Sequence, residues 1–297
     1  MDAGAGPRAR TRPRGAQRGS RGPAFPRPPR RRKHRFRRHA VLALLTGLLS
    51  TLAPGAAHAQ SALDDILSRK TIAIAVPTDF APYGFVGPDL KPQGLDVDMA
   101  QLVADRLGVQ VELVPVTSAN RIPYLQTRKV DLVISTLGKT PERARVIDFT
   151  AAYSPFYQAV FAARETSIAG PADLAGKTVA VTRGAIEDIE LSKIAPATAE
   201  VRRFEDNSAT VAAFVSGQVQ VIATGAAVAG AMMARHPQLR TEFKFALKDS
   251  PNFIGVAKGE DRLRLRINNI IAQARKSGDL DRLAMKWLGR PAGDLPQ

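Results

Sequence analysis

Apolar residues beyond position 60 occur alternately in short continuous runs and in stripes with helical spacing. The run Thr71–Val76 has the length and β-branched content of a buried strand. Residues 95–107 carry apolar side chains along one helical face, and Gly108 is suited to end that helix as a left-handed cap. That face consists of Leu95, Met99, Leu102, Val103 and Leu107. Residues 109–113 then alternate in polarity, which predicts a strand with one face more buried than the other.

The remaining pattern continues the alternation of strands and helices. The predicted elements are helix 118–127, strand 130–134, strand Thr178–Thr182, a helix that opens at Gly184, helix 208–216 and strand 219–223. The segments TRKVDLVIST (127–136) and SGQVQVIATG (216–225) share a helix end, a buried strand and a hydroxyl residue near the strand tip. Alternation of this kind predicts an α/β protein with helices covering mainly parallel sheets. The repeated segment indicates two lobes, with a ligand between the carboxyl ends of their strands.

A basic segment and a short apolar run precede these elements. Residues 1–39 hold thirteen arginines and one lysine against one acid. The apolar run at 40–53 is too short to cross a hydrocarbon layer of ~30 Å as a helix. The motif Ala57-His58-Ala59 has the small-x-small pattern of a signal peptidase site. A buried hydrophobic helix is the alternative, but we expect residues 1–59 to be a signal segment that is cleaved before Gln60, and the protein to be periplasmic.

Composition excludes several classes of function. The formal charge of +16 suggests a nucleic-acid binder, but the residues after position 39 carry 29 basic and 26 acidic groups, a net charge of only +3. We therefore expect no nucleic-acid partner. Cysteine is absent, which excludes disulfides, thiolate metal sites and a lipid-modified cysteine anchor. His236 is the one histidine after residue 60, so the sequence argues against a multi-histidine zinc site and a Ser-His-Asp triad, and we expect no metal and no cofactor.

The sequence STLGKTPER, at the end of a predicted buried strand, combines a helix start with an arginine. Thr140 is a good N-cap and Pro141 suits the first helical position, so Arg143 lies in the first turn. The strand delivers Ser135 and Thr136 to the same end of the sheet. Free backbone N–H groups and a planar guanidinium can together hold both oxygens of a carboxylate. The alternative is an ordinary capped helix start with surface charges.

Several motifs, taken in order and spacing, resemble one known family. They are TIAIAVPTDFAPYGF (71–85), GLDVDMAQLVADRLG (94–108), RIPYLQTRKVDLVISTLGKTPERARVIDFTAAY (121–153), DLAGKTVAVTRG (173–184) and RLAMKWLG (282–289). Over residues 62–290 the chain resembles the polar amino-acid-binding proteins of bacterial ABC importers, family 3 of the extracellular solute-binding proteins. The resemblance implies a periplasmic-binding-protein type II-like fold, in which two α/β lobes are joined by two crossing strands and close on a ligand between them.

The resemblance also implies a division of the chain and a set of partners. Lobe 1 would comprise residues 60–162 plus 252–297, and lobe 2 residues 163–251. The crossing strands would lie near 159–164 and 253–258. The expected partners are a small carboxylate or amino-acid ligand and the membrane permease of an ABC importer, and the protein itself is expected to be a monomer.

The family assigns roles to particular positions of this sequence. By resemblance Arg143 would bind the ligand α-carboxylate, with help from the Gly138 backbone and the hydroxyls of Ser135 and Thr136, while Phe80 would cover the apolar part of the ligand. Further ligand contacts would come from Gly184, Ala185, Ile186, Thr224 and Gly225 in the second lobe.

The segment SANRIP, with Ser118 and Arg121, looks like the version found in importers of acidic amino acids. There the arginine meets the side-chain carboxylate of the ligand. A buried charge of this kind needs an opposite charge and hydrogen bonds. A surface-exposed helix arginine is an equally good interpretation of Arg121.

Two departures from the family pattern concern the ligand's amino group. Ala185 and Ile186 stand where the family commonly has hydroxyl residues, and Gly225 stands where it usually has an aspartate that takes the ligand ammonium. A buried ammonium without a counter-charge would cost several kcal/mol. Either another acid replaces the aspartate, with Glu187 and Asp188 as candidates, or the ligand lacks a free α-amine. Both acids also suit a first helical turn for reasons of local stability alone.

Three functions remain after these considerations. The first is a non-catalytic protein that delivers an acidic or polar amino acid, or a related small carboxylate, to an ABC transporter. The second is an exported enzyme that resembles cyclohexadienyl dehydratases of the same fold, with Glu187 as the nominal acid. The third is a ligand-sensing module that acts on a separate receptor chain.

Overall fold

Two five-stranded sheets organise residues 61–296, which are the residues described by the computed structural model. A small three-stranded sheet, in the order β2-β3-β4, accompanies them once the strands are numbered along the chain. The strands are β1 (Thr71–Val76), β2 (Asp79–Phe80), β3 (Gly84–Val86), β4 (Pro92–Gln93), β5 (Gln110–Pro115), β6 (Leu132–Gly138), β7 (Ile147–Ser154), β8 (Tyr157–Ala163), β9 (Thr178–Thr182), β10 (Glu200–Phe204), β11 (Val221–Gly225), β12 (Thr241–Asp249) and β13 (Asn252–Ala257). The helices are α1 (Ala62–Arg69), α2 (Leu95–Leu107), α3 (Arg121–Gln126), α4 (Pro141–Val146), α5 (Ile186–Ile194), α6 (Asn207–Val215), α7 (Ala226–Arg235), α8 (Asp261–Lys276) and α9 (Asp279–Leu288).

The first sheet has the strand order β5-β1-β6-β13-β7 and, with the helices packed on it, is called lobe 1. Strands β1, β5 and β6 run parallel, and β13 is antiparallel to both of its neighbours. Helix α2 spans the predicted residues and ends at Gly108, which has a φ of 71°. The prediction for this helix is confirmed because its apolar stripe is the face that the sheet buries.

The second sheet has the strand order β10-β9-β11-β8-β12 and is called lobe 2 with its helices. Its three parallel strands are β9, β10 and β11, and β8 lies antiparallel between β11 and β12. Leu191 of α5 packs on one face of this sheet with Val160 and Val179, whereas Phe214 of α6 packs on the other with Ile222. The α/β architecture predicted from the alternation of elements is therefore present in both lobes.

The chain changes sheet at two places that differ from the predicted crossings. Strand β7 of lobe 1 ends at Ser154, and β8 begins at Tyr157 in lobe 2. The first change of sheet thus falls at residues 155–156, several residues before the predicted boundary at 162, because β8 pairs along its whole length with β11 and β12. The second change falls between β12 and β13, so residues 253–258 already lie in lobe 1 and not in a crossing.

Some predicted element bounds differ because pairing partners distant in sequence extend or shorten the elements. Strand β6 runs on to Gly138, since β13 pairs with it as far as that residue. Strand β11 likewise reaches Gly225 through its pairing with β8. The predicted helix 118–127 is a 3₁₀ turn at Ser118–Asn120 followed by α3, and α5 begins two residues after Gly184. Strand β12 was not predicted at all.

The predicted signal segment and its cleavage site lie outside the described residues. Among the helices of residues 61–296, none combines the length and the apolar character that crossing a bilayer requires.

Candidate functional site

Arg143 reaches across the gap between the lobes from the first turn of α4. The Thr140 hydroxyl accepts a hydrogen bond from the Arg143 N–H at 3.2 Å, which confirms Thr140 as the N-cap. The Arg143 side chain is buried, so the alternative of a surface charge is wrong. Its Nη1 donates to the Gly138 carbonyl at 2.7 Å, and its Nη2 donates to the Gly184 carbonyl of lobe 2 at 2.8 Å.

Arg121 approaches the same carbonyl from the start of α3. Arg121 is only 3% exposed, so the interpretation as a surface arginine is wrong. Within lobe 1, the guanidinium donates to three backbone carbonyls, with Nε bound to Ser118 at 3.0 Å and Nη1 to Ser135 at 2.8 Å and Thr136 at 3.1 Å. Its Nη2 points to the Gly184 oxygen at 3.4 Å. Two guanidiniums thus converge on one neutral acceptor.

The two guanidiniums have no acidic partner of their own among residues 61–296. Neither Arg121 nor Arg143 forms an ion pair with any acid in the described part of the chain. Burial lowers the pKa of Arg121 to about 10. Burial, and then the positive charge of Arg121, lowers the pKa of Arg143 to about 9. Lowered pKa values mean that the surroundings stabilise these positive charges less well than water does, so an entering anion gains a strong attraction.

Glu187 of α5 faces the same space from lobe 2. It is 4% exposed, and its Oε1 atom has no hydrogen-bond partner among residues 61–296. Burial raises the pKa of Glu187 to about 7, although the charges of Arg121 and Arg143 act in the opposite direction. The carboxyl group is therefore close enough to both arginines to sense their charge, but it forms an ion pair with neither.

Three aromatic rings close the apolar side of the site. Phe80 stacks on Tyr83 with ring centroids 6.0 Å apart, and Phe156 contacts both rings at centroid distances of 6.1 Å and 5.1 Å. Phe156 also fills the space beside Gly225, because a Cβ atom at position 225 would lie 2.6 Å from its Cζ atom. An apolar ring thus occupies the space that a side chain at this strand tip would need.

The space enclosed by these groups is small. It is a cavity of about 10 Å³, which holds at most one water molecule. It is lined by Phe80, Ser118, Arg121, Thr136, Phe156, Ala185, Ile186, Glu187 and Asn207. Gly138 lies directly under Ile186 of the opposite lobe, where a Cβ atom would come within 2.7 Å of the Ile186 side chain. The lobes therefore touch at this point, and an amino acid can enter only when they move apart.

The lobes are also linked by a hydrogen-bonded pair at the edge of the cavity. The Asp79 carboxylate of lobe 1 accepts from the backbone N–H of Asn207 at 2.7 Å and from its side-chain Nδ2 at 2.9 Å. Asn207 is the first residue of α6. Asp79 therefore helps to satisfy the N-terminus of a lobe 2 helix from the other side of the gap.

A buried carboxyl group supports the floor of the site in lobe 1. Asp96 accepts from the Thr136 N–H at 2.8 Å and from the Tyr153 hydroxyl at 2.7 Å. Burial raises the pKa of Asp96 to about 7, and these two hydrogen bonds oppose that shift. Thr136 has a φ of 43°, a left-handed conformation that is uncommon for a threonine. Asp96 thus holds the strand tip that carries Thr136 and accepts hydrogen bonds from Arg121.

The structure brings most of the predicted site residues together, with some differences in how they act. Ser135 faces Arg121 through its carbonyl and not through its hydroxyl. Thr224 is buried but is not part of the cavity lining, and Gly225 meets Phe156. The remaining predicted residues line the cavity, form hydrogen bonds beside it or lie where the lobes touch. They are Phe80, Ser118, Arg121, Thr136, Gly138, Arg143, Gly184, Ala185 and Ile186. Sequence reasoning missed Phe156 and Asn207, since no local motif marks either residue.

Adding a methyl group at position 225 tests the packing of Phe156. We expect Gly225→Ala to lower the free energy of unfolding by about 1 to 2 kcal/mol, because the new Cβ would collide with a ring that Phe80 and Tyr83 hold in place. Urea denaturation measures the effect. Gly230→Ala in α7 is the control, since a Cβ there meets no atom within 4 Å, and we expect it to raise the free energy of unfolding by about 0.5 to 1 kcal/mol because alanine favours the helix interior. A Gly225→Ala variant as stable as the wild type would contradict the packing argument.

Residues 72–290 match the bacterial extracellular solute-binding proteins, family 3. The match covers most of the chain, so the chain belongs to this family. The sequence is 28% identical over 256 residues to the ABC transporter glutamine-binding protein GlnH of Bacillus subtilis (strain 168), which covers 84% of this chain and 93% of that protein.

Solved structures agree with this family. The P235GK mutant of ArgBP from T. maritima is 32% identical, with a TM-score of 0.71 over 77% of this chain and 99% of that one. The ancestral amino acid-binding protein AncCDT-1, a precursor of cyclohexadienyl dehydratase, is also 32% identical, with a TM-score of 0.70 over 76% of this chain and 99% of that one. The fold is thus the type II-like fold of periplasmic binding proteins.

Proposed function

We propose that this chain binds an acidic or polar amino acid, or a related small carboxylate, between its lobes and delivers it to the membrane permease of an ABC importer. The observation that carries the proposal is the convergence of Arg121 and Arg143 on the Gly184 carbonyl. Two buried cations that share a neutral oxygen are better satisfied by a carboxylate, whose two oxygens can accept from both guanidiniums.

Ligand entry exchanges one set of hydrogen bonds for a stronger one. When the lobes separate, the Arg143 Nη2 group loses the Gly184 oxygen and becomes available to the solute. The ligand carboxylate then replaces a neutral acceptor by a charged one, which adds the attraction between opposite charges to hydrogen bonds that already have a charged donor. Closure over Phe80 and Phe156 excludes water from the apolar part of the ligand. Relatives with this fold include proteins named for glutamine and arginine binding.

Export, the monomeric state and the lobe boundaries complete the proposed function. We infer that the protein is exported by the segment at 1–59, acts in the periplasm as a monomer, and presents its closed form to the permease. We assign the lobes to residues 61–154 plus 252–296 and to residues 157–249, which follows the membership of the two sheets.

A dehydratase-like activity is the second candidate, and one observation favours it. Glu187 is a buried carboxyl group whose pKa is raised to about 7, as a general acid at neutral pH requires. AncCDT-1, a precursor of cyclohexadienyl dehydratase, has the same fold. In such a reaction Glu187 would donate a proton to a leaving hydroxyl group.

Two measurements on the purified protein separate these functions. Mass spectrometry of small molecules released on denaturation, followed by thermal shift with the twenty standard L-amino acids and L-cystine, identifies a ligand. Incubation with prephenate and arogenate tests turnover. We expect a ligand-dependent rise in melting temperature without turnover. Conversion of either compound would establish the enzyme instead, and a protein that neither binds nor converts any of these compounds would contradict both.

A further inference from the structure

An amino acid held by its carboxylate still needs an acceptor for its ammonium group. The strand tip cannot supply one, because position 225 is a glycine and Phe156 fills the space beside it. Thr224 does not line the cavity. In this part of lobe 2, the carboxyl groups near the gap are those of Glu187 and Asp188 at the start of α5.

Asp188 is already engaged. Its Oδ2 atom accepts from the Gly184 N–H at 3.1 Å, and its Oδ1 atom accepts from Arg203 at 2.7 Å. Asp188 thus holds the turn that leads into α5, and it is absent from the cavity lining. Glu187 differs on each point, since it lines the cavity and its Oε1 atom lacks a partner among residues 61–296.

We propose that Glu187 receives the ammonium group of the ligand and thereby makes the site specific for amino acids over carboxylates that lack an amine. This inference rests on the proposed function. The arrangement suits a zwitterion, since Arg121 lines the cavity and shares the Gly184 carbonyl with Arg143, while Glu187 lines the cavity from α5 without forming an ion pair to either arginine. A ligand with both charges satisfies all three side chains at once, whereas a ligand without an amine leaves the carboxylate of Glu187 buried and unpaired.

The charged surroundings of Glu187 determine how this role depends on pH. The groups whose charge acts on it are Arg121 and Arg143 from lobe 1 and Asp188 on its own helix, and Tyr83 of lobe 1 is coupled to it as well. Asp96 acts on Arg121. Arg203 from β10 pairs with Asp188, and Lys248 from β12 pairs with Glu190. The pKa of Glu187 is raised to about 7 by burial, so with the lobes closed and no ligand between them the group is protonated below that pH. An ammonium ligand favours the ionised form and must release that proton on binding.

Affinity for an amino acid should therefore rise with pH and level off above 7. From pH 5.5 to pH 7.5 the ionised fraction of a group with this pKa rises about 25-fold, and affinity should follow it. A deaminated analogue should show the opposite slope, since it binds best when Glu187 is neutral. Asp96 titrates in the same range, so the diagnostic result is that Glu187→Gln abolishes the opposed slopes of the two ligands.

The experiment is isothermal titration calorimetry on the wild type, Glu187→Gln and the control Glu190→Gln, which changes the same side chain one turn further along α5, where it pairs with Lys193 and Lys248. The probes are the tightest-binding amino acid of the panel above and its deaminated analogue, such as L-glutamate with glutarate. At pH 8 we expect Glu187→Gln to weaken the amino acid at least tenfold and to leave the analogue unweakened, while Glu190→Gln matches the wild type.

The outcomes distinguish this inference from the function on which it rests. Equal affinity of Glu187→Gln and the wild type for the amino acid would overturn the role of Glu187 and leave the binding function intact. A wild type that binds the analogue as tightly as the amino acid would also overturn the role of Glu187 and leave the binding function intact. This comparison uses only the wild type, so it remains valid even when the variant fails to fold. A wild type that binds neither probe, nor any other member of the panel, overturns both.

Discussion

Replacing Arg143 by alanine should weaken the binding of an amino acid about 10- to 150-fold, or about 1.5 to 3 kcal/mol. The variant removes a buried guanidinium that has no acidic partner in residues 61–296 and whose Nη2 group faces the opposite lobe. The energy lost is that of a charge-assisted pair formed where water is excluded, which is larger than for an exposed pair. Isothermal titration calorimetry with the tightest ligand of the amino-acid panel measures it.

Arg145→Ala is the matched control for that measurement. It lies two residues further along the same short helix and is exposed to solvent. We expect it to bind the ligand as the wild type does. If Arg143→Ala also retains full affinity while melting at the same temperature as the wild type, Arg143 does not contact the ligand and the carboxylate site must be sought elsewhere.

Replacing Arg121 by methionine should have its largest effect on stability. Three of the carbonyls around it, those of Ser118, Ser135 and Thr136, would lose their donor, and two of these hydrogen bonds are buried. Each bond to a charged donor is worth about 1.5 to 3 kcal/mol, and removing a buried charge returns part of that sum. We expect a net loss of about 3 kcal/mol in the free energy of unfolding, measured by urea denaturation without ligand.

Arg106→Met provides the comparison for an arginine on the surface. The Arg106 side chain is 40% exposed and pairs with Asp279, so its removal should cost less than about 1 kcal/mol. Losses of similar size in the two variants would show that the carbonyl contacts of Arg121 do not stabilise the fold, and would leave ligand binding as the reason for its burial.

The parts of this protein that could be predicted from the sequence are those with local signals. Helix α2 was predicted to the residue because its apolar spacing and the glycine after it both act within a few residues. Arg143 was placed correctly in a first helical turn for the same reason, since Thr140 and Pro141 mark the helix start by short-range capping.

The parts that could not be predicted depend on contacts between distant segments. Phe156 follows β7 in a stretch without any motif, and its role appears only when β8 pairs with β11 and brings it beside Gly225. The first change of sheet was predicted at the wrong residues, because the apolar pattern of a strand does not indicate which sheet the strand joins. Glu187 could be named as a candidate, but a carboxylate in a first turn is common, and its burial results from the meeting of two lobes.

The contact between Asp79 and Asn207 has a consequence for how selectivity is distributed in this protein. It joins the lobes at the rim, by a carboxylate that covers a helix end, and Asp79 is not among the groups that line the cavity. Its bond to the Asn207 backbone contributes to closure equally for every solute, whereas its bond to the Asn207 side chain positions a group that lines the cavity. Substitutions at Asp79 would therefore raise all dissociation constants, and they would change the ranking only of solutes that reach the Asn207 amide, so during evolution the protein could adjust how tightly it holds most of its cargo without changing which cargo it prefers.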